Sequence, residues 1–304
     1  MWVLGCLAAL LALGPTQATE RWGPGDHRLT LQHGGLTRHY LVHVPPAYRS
    51  EHAVPLLMVL HGGGGHMDLQ ANDRLYGQIT ESDTRGHVVV FPNGYSALPS
   101  GRLATWNAGL CCAAARDRQV DDVGFLKQVV AEVASRWAID PLRVYATGMS
   151  NGGMMAYRLA CDAADTFRAV AAVAGTDNTR TCQPSRPLSV LHIHALNDDH
   201  VLFHGGAGSA SAAKALVTDH RSVPDTVARW TGFNRCSESP MRVLDKAGAR
   251  CERYPSCAGG SRVQLCTTDT GGHSWPGGHK PWGTSAPSPA LSANSVMWGF
   301  FDER

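Results

Sequence analysis

The chain has 304 residues, of which 43% are hydrophobic and 17% charged, ample apolar material for a large core. Its formal net charge is +2, and no run of lysines or arginines could track a phosphate backbone or an anionic membrane, which sets nucleic-acid binding aside. The opening apolar run, about a dozen residues long, is shorter than the ~20 a membrane-spanning helix needs, so integral membrane association is not expected.

Residues 1–18, MWVLGCLAALLALGPTQA, join that run to a helix breaker at Gly14-Pro15 and a small residue at Ala18. This reads as an export signal cut after Ala18, although no Lys or Arg precedes the run. The expected organisation is a signal peptide over 1–18 and a single catalytic domain over 19–304, secreted or periplasmic. Beyond the leader lie Cys111, Cys112, Cys161, Cys182, Cys236, Cys251, Cys257 and Cys266, an even number that in an exported chain reads as disulfides. They form one group up to Cys182 and another from Cys236, and bridges are expected to stay within each group.

Residues 28–44 hold two alternating apolar segments joined through HGGL, the pattern of an opening hairpin. Short apolar runs follow at 55–60, 87–91, 143–148, 167–175 and 189–194, separated by longer segments. After Asp121, the residues Phe125, Leu126, Val129, Val130, Val133 and Trp137 recur at helical steps, with Asp121 or Asp122 placed to cap the start. Strands alternating with helices predict an α/β fold, a mostly parallel central sheet with helices on both faces. Residues 203–220, rich in small side chains, are expected to contain a mobile loop. Residues 236–266 read as a cysteine-stapled excursion, and a last helix is expected around 288–302.

One stretch carries the chemistry. ATGMSNGGMMAYRLAC, residues 146–161, fits G-x-S-x-G at Gly148, Ser150 and Gly152, with a strand before it and a helix after it. A serine hydroxyl is a poor nucleophile until a sharp strand-to-helix turn holds it where a base can reach, and that turn leaves no room for side chains on the flanking positions. The partners should follow in the order acid, then histidine. HIHALNDDHV offers Asp198, with Asp199 as its neighbour, just past a strand, and TTDTGGHSWPGG places His273 in a glycine-bordered loop. Ser150, Asp198 and His273 are thus the predicted triad. LHGGGGH, residues 60–66, supplies backbone N–H groups for an oxyanion; Gly63 is the expected donor with Gly64 as fallback, paired with the N–H of Asn151.

With these residues in hand, the chain resembles the α/β-hydrolase esterase family of poly(3-hydroxybutyrate) depolymerases and feruloyl or acetylxylan esterases. The resemblance rests on LHGGGG (60–65), TWNAGLCC (105–112), VDDVGFL (120–126), DPLRVYATGMSNGGMMAYRLAC (140–161), HIHALNDDHV (192–201) and GGHSWPGG (271–278). It implies Ser150 as nucleophile, Asp198 as acid, His273 as base, and Asn151 and Gly63 as oxyanion donors. Many relatives read like H-G-T-x-D where this chain has His194-Ala195-Leu196-Asn197-Asp198, which keeps Asp199 in view as the acid.

Other conspicuous residues have plainer readings. His192 and His194, with His200 and His204 behind them, lack a ligand cluster and are expected to be structural, so no metal and no cofactor are predicted. Trp106 and Trp275 are candidates for an aromatic wall against an acyl or aryl group. Asp121 and Asp122 fit a helix start better than a pair of catalytic carboxylates. The expected activity is cofactor-free hydrolysis of carboxylic esters, on hydroxyalkanoate oligomers or polyesters or on feruloyl-type aryl esters of plant polysaccharide. Acyl transfer from the same acyl-enzyme, and a non-catalytic binding module of the same fold, are the alternatives.

Overall fold

The computed structural model describes residues 22–209, 219–237, 239–280 and 286–303. The expected leader, and residues 210–218 of the expected mobile loop, lie outside the described residues.

In chain order the elements are β1 (Gly25–His33), β2 (Leu36–Val44), β3 (Val54–Leu60), α1 (Met67–Gln70), α2 (Asp73–Tyr76), α3 (Gln78–Arg85) and β4 (Val88–Pro92). Then come α4 (Ala113–Asp117), α5 (Asp122–Arg136), β5 (Ile139–Met149), α6 (Asn151–Asp162), β6 (Ala169–Val173), β7 (Ser189–Ala195) and α7 (Val223–Phe233). The hairpin β8 (Met241–Lys246) and β9 (Ala249–Tyr254), strand β10 (Val263–Thr268) and helix α8 (Ala293–Asp302) complete the order.

All ten strands join one sheet in the order β1-β2-β4-β3-β5-β6-β7-β10-β9-β8. The pairs from β4 through β10 are parallel, and the antiparallel pairs lie at the two edges. Parallel strands covered on both faces must be apolar on both, which is why they read as continuous runs in the sequence. β3 shows the division: Leu56, Met58 and Leu60 enter one core with side chains of α5, α6 and α7. Leu57 and Val59 enter the other, with Met297, Trp298, Phe300 and Phe301 of α8.

The start of α5 separates its two aspartates. Asp121 caps the helix, accepting from the Gly124 N–H at 2.9 Å. Asp122 is fully buried, pairs with Arg38 at 2.7 Å and accepts from the Asn107 N–H at 2.8 Å. Burial pushes its carboxyl up against the pull of the Arg38 charge. The pair bolts α5 to β2 and to the loop that follows Thr105.

The cysteines bond as Cys111–Cys112, Cys161–Cys182, Cys236–Cys257 and Cys251–Cys266, each bridge within its expected group. The stretch 236–266 is more regular than an excursion. It holds the β8–β9 hairpin, which extends the sheet through β10, and Cys251 lies opposite Cys266 in that register. Period-two patterning is faint there because β8 is largely exposed.

Candidate active site

Strand β5 ends at Met149 and helix α6 begins at Asn151, so a single residue makes the turn. Ser150 sits at φ 55° and ψ −122°, a conformation that costs a non-glycine residue of order 1–3 kcal/mol. Glycine is required around it by contact. A Cβ on Gly148 would lie 2.5 Å from the Gly152 carbonyl carbon, and one on Gly152 would lie 2.3 Å from the Leu60 oxygen. Gly175, beyond β6, belongs to the same constraint, since its Cβ would meet the Ser150 oxygen at 2.2 Å. The Ser150 N–H is held by the Val173 carbonyl at 2.8 Å.

Asp198 and His273 follow β7 and β10, which are neighbours in the sheet, and meet in a hydrogen bond of 2.9 Å between Oδ2 and the imidazole Nδ1. The carboxylate can only accept, so Nδ1 carries the proton and Nε2 is left as the basic nitrogen. Asp198, 3% exposed, also accepts from the backbone N–H groups of His200 at 2.8 Å and Val201 at 2.9 Å. Burial alone would raise its pKa, but the hydrogen bonds from His194 and His273 outweigh it and hold the carboxyl well below the usual range. Asp199 points elsewhere, to Nδ1 of His200 at 2.7 Å.

Behind Asp198 runs a buried chain. His194 Nε2 faces both the Val201 carbonyl at 2.8 Å and Asp198 Oδ2 at 3.3 Å, so it must donate. Its Nδ1 then accepts from His192 Nε2 at 3.1 Å, and His192 Nδ1 accepts from the Tyr157 hydroxyl at 2.8 Å. Every donor is aimed toward the carboxylate. His192 and His194 therefore serve the acid from behind.

The glycine loop after β3 lies beside the turn. The Gly64 N–H is taken by the Ala104 carbonyl at 2.9 Å, whereas the Gly63 N–H meets no acceptor among the described residues. His61, buried, fixes this loop. Its Nε2 accepts from the Gly94 N–H at 2.9 Å, so Nδ1 carries the proton and donates to the Gly62 carbonyl at 2.8 Å. Burial pushes its pKa down to about 4, which keeps it neutral. Because the peptide is trans, the Gly63 N–H points away from that anchored carbonyl. The Asn151 N–H, first in α6, has no intrahelical acceptor either.

Ser150, His273, Gly63 and Asn151 all line one cavity of about 620 Å³. Leu69, Tyr76, Leu103, Met149, Met154 and Trp275 make much of its wall apolar. Trp275 is only 2% exposed, with Tyr76 edge-on at 5.8 Å and its indole N–H donated to Asn294. Trp106 is not on this wall: it is fully buried, and its Nε1 donates to the His61 carbonyl at 2.9 Å, so it braces the glycine loop from behind. A serine on a sharp strand-to-helix turn, a carboxylate–imidazole pair, a glycine loop and a cavity at the carboxyl ends of the parallel strands are the parts an acyl-transfer site needs.

The chain is 31% identical over 82% of its length to a putative esterase, NocK, of Nocardia uniformis, spanning 73% of that protein. It is 31% identical over 67% of its length to a probable feruloyl esterase C of Aspergillus clavatus, spanning 72% of it. The chain belongs to the feruloyl esterase family of α/β-hydrolases. By class these are carboxylic ester hydrolases. Feruloyl esterase B of Piromyces equi is 30% identical over 81% of the chain, which spans only 44% of that longer protein. The prolyl oligopeptidase family model matches residues 113–186, the part containing the Ser150 turn. Among solved structures, an acetyl xylan esterase from Aspergillus awamori superposes with a TM-score of 0.61 at 14% identity, covering 91% of this chain and 98% of that one, which shows the shared fold.

Several residues lie at the site that the sequence did not place there. His200 stacks on His273 with ring centroids 4.6 Å apart and planes 15° from parallel. His220 lines the cavity as well, and burial followed by the His273 charge pushes it down to about 4. The disulfide-bonded Cys111 and Cys112 form another part of the wall. Only His61 carried a usable signal, its place directly before the glycine run. Among the described residues, Asp198, His200 and His273 bring possible metal-ligand atoms within 4.8 Å of one another. An ion held there would take the carboxylate and imidazole that proton transfer uses.

Proposed function

We propose that this chain is an exported serine esterase that cleaves feruloyl-type aryl esters of plant polysaccharide, with Ser150 as nucleophile, His273 as general base and acid, and Asp198 as the carboxylate that fixes the imidazole. The observation that carries the reading is the 2.9 Å Asp198–His273 hydrogen bond beside a cavity that also holds Ser150. His273 Nε2 takes the serine proton as Oγ attacks the acyl carbon, and the N–H groups of Gly63 and Asn151 stabilise the oxyanion. His273 then protonates the departing alcohol, and water attacking the acyl-enzyme repeats the cycle without a cofactor.

Two considerations favour an aryl acyl group over a hydroxyalkanoate. The cavity wall is largely apolar and includes Trp275 and Tyr76, which suit a planar ring. Relatives named as feruloyl esterases make the same substrate class the first to try. Export is supported by the four disulfides, which persist in oxidising compartments. No helix among the described residues is long and apolar enough to cross a membrane.

The test is a panel of methyl ferulate, acetylated xylan and hydroxybutyrate trimer, with product release followed by chromatography in the parent and in Ser150→Ala. Ferulate release that disappears in Ser150→Ala supports the proposal. Turnover confined to the hydroxybutyrate trimer replaces the substrate, and activity that survives Ser150→Ala removes the nucleophile. Adding an alcohol acceptor distinguishes hydrolysis from acyl transfer.

A further inference from the structure

At the end of the sheet opposite Ser150, a second cavity of about 590 Å³ lies where β3, β5, β6 and β7 begin, lined by Pro55, Tyr145, Ala169 and Ser189. Five arginines, Arg85, Arg143, Arg168, Arg186 and Arg262, reach its wall from scattered parts of the chain. Three of them have carboxylate partners: Arg85 pairs with Glu81 at 2.8 Å and Asp302 at 2.5 Å, Arg143 with Asp140 at 2.6 Å, and Arg262 with Glu303 at 3.0 Å.

The other two form no ion pair among the described residues. Arg186 donates to the Phe167 carbonyl at 2.8 Å. The guanidinium of Arg168, next in sequence to that carbonyl, has no side-chain hydrogen bond among the described residues, and its Nε is buried without a partner. The two charges are near enough to act on each other: burial first, and then the Arg168 charge, lowers the pKa of Arg186 against the pull of Asp165. A buried guanidinium N–H without a partner and two like charges brought close together are each costly, and an anionic ligand with several acceptor oxygens relieves both.

We propose that this cavity binds a tetrahedral oxyanion, phosphate or sulfate, free or at the end of an ester, between Arg168 and Arg186. The guanidinium fork matches such a group through paired N–H donors, and two positive charges with no direct ion pair among the described residues suit a dianion. The site is independent of the ester chemistry, because it lies at the other end of the sheet.

The experiment is calorimetric titration of the full chain with inorganic phosphate, inorganic sulfate and glucose 6-phosphate, against sodium chloride of equal ionic strength. The expected result is saturable binding of phosphate or sulfate, weakened tenfold or more in Arg168→Gln and again in Arg168→Gln/Arg186→Gln. Hydrolysis of a short p-nitrophenyl ester should be unchanged in these variants, reporting an intact fold. Tighter binding of glucose 6-phosphate than of phosphate assigns the site to an ester, and the reverse to the free ion; both support it. If Arg186→Gln fails to fold after losing the Phe167 contact, Arg168→Gln alone decides, since Arg168 has no hydrogen bond to lose. Heats no larger than those of chloride, or parent-like binding in the folded variants, would overturn the proposal.

Discussion

The side chain of Asn151 is bonded twice to the backbone of Trp106: its Oδ1 accepts from the Trp106 N–H at 2.7 Å, and its Nδ2 donates to the Trp106 carbonyl at 3.0 Å. Trp106 in turn donates to the carbonyl of His61, two residues before Gly63. The two proposed oxyanion donors are thus held by one brace that passes behind them. Asn151→Ala keeps the backbone N–H but frees its anchor. We expect kcat to fall about 10- to 100-fold with KM nearly unchanged, because preorganised donors act mainly on the transition state. Steady-state kinetics on a soluble aryl ester checks this, and a change confined to KM would show that the brace serves substrate binding instead.

Gly152 offers a sharper steric test. A Cβ there would stand 2.3 Å from the Leu60 oxygen and 2.6 Å from the His61 oxygen, both backbone atoms that cannot swing aside. Gly152→Ala must therefore part β3 from the turn, at a cost of several kcal/mol by analogy with overpacked cores. A lower thermal midpoint together with lost turnover is expected. Gly299→Ala, inside α8 where a Cβ would meet nothing within 4 Å, is the control: turnover should be unchanged and the thermal midpoint should not fall, because alanine is the better helix former by ~1 kcal/mol.

These contacts also explain what the amino-acid sequence could disclose. The glycines at 148 and 152 are legible because the clash between them recurs wherever a serine is presented this way, although Leu60, far off in sequence, confines Gly152 as well. The parallel strands are legible because burial on both faces keeps them mostly apolar, with the hydrogen-bonded His192 and His194 of β7 as exceptions. Gly175 carries the same constraint from 25 positions away, and nothing local marks it. Trp106 was misplaced for a related reason. Composition says that an indole is apolar, but only its hydrogen bond to His61 tells which side of the loop it occupies. The arginines of the second cavity are spread from position 85 to position 262, so their convergence follows from sheet order and not from any motif.

The choice between Asp198 and Asp199, open in the sequence, leads to a paired experiment. Asp198 accepts from His273 at 2.9 Å, while Asp199 accepts from the flanking His200 at 2.7 Å. Asp198→Asn should lower kcat by about 10³- to 10⁴-fold, since the amide no longer fixes the tautomer or stabilises the imidazolium. Asp199→Asn should stay within about threefold of the parent, the size of a surface perturbation of ~0.5 kcal/mol. Equal losses in the two variants would place both carboxylates in the machinery.

Acid should unfold this protein in a defined window. His61, His87 and His220 are each pushed down to about 4, His192 is held well below its ordinary value, and burial is the largest cause in every case. In the unfolded chain these imidazoles titrate near 6.5, so between about 6.5 and 4 the unfolded state binds more protons than the folded one. Stability is therefore complete above about 6.5 and is lost as the pH falls through that window, by up to ~1.4 kcal/mol per pH unit for each group. Asp198, depressed in the fold, adds its own loss only at lower pH. Urea melts at pH 7.5, 5.5 and 4.5 should show a falling midpoint and, by linkage, uptake of more than one proton on unfolding at pH 5.5. Replacing His220, the member of the set on the cavity wall, by Gln should flatten the slope by about one proton; an unchanged slope would mean that this imidazole is charged in the folded protein.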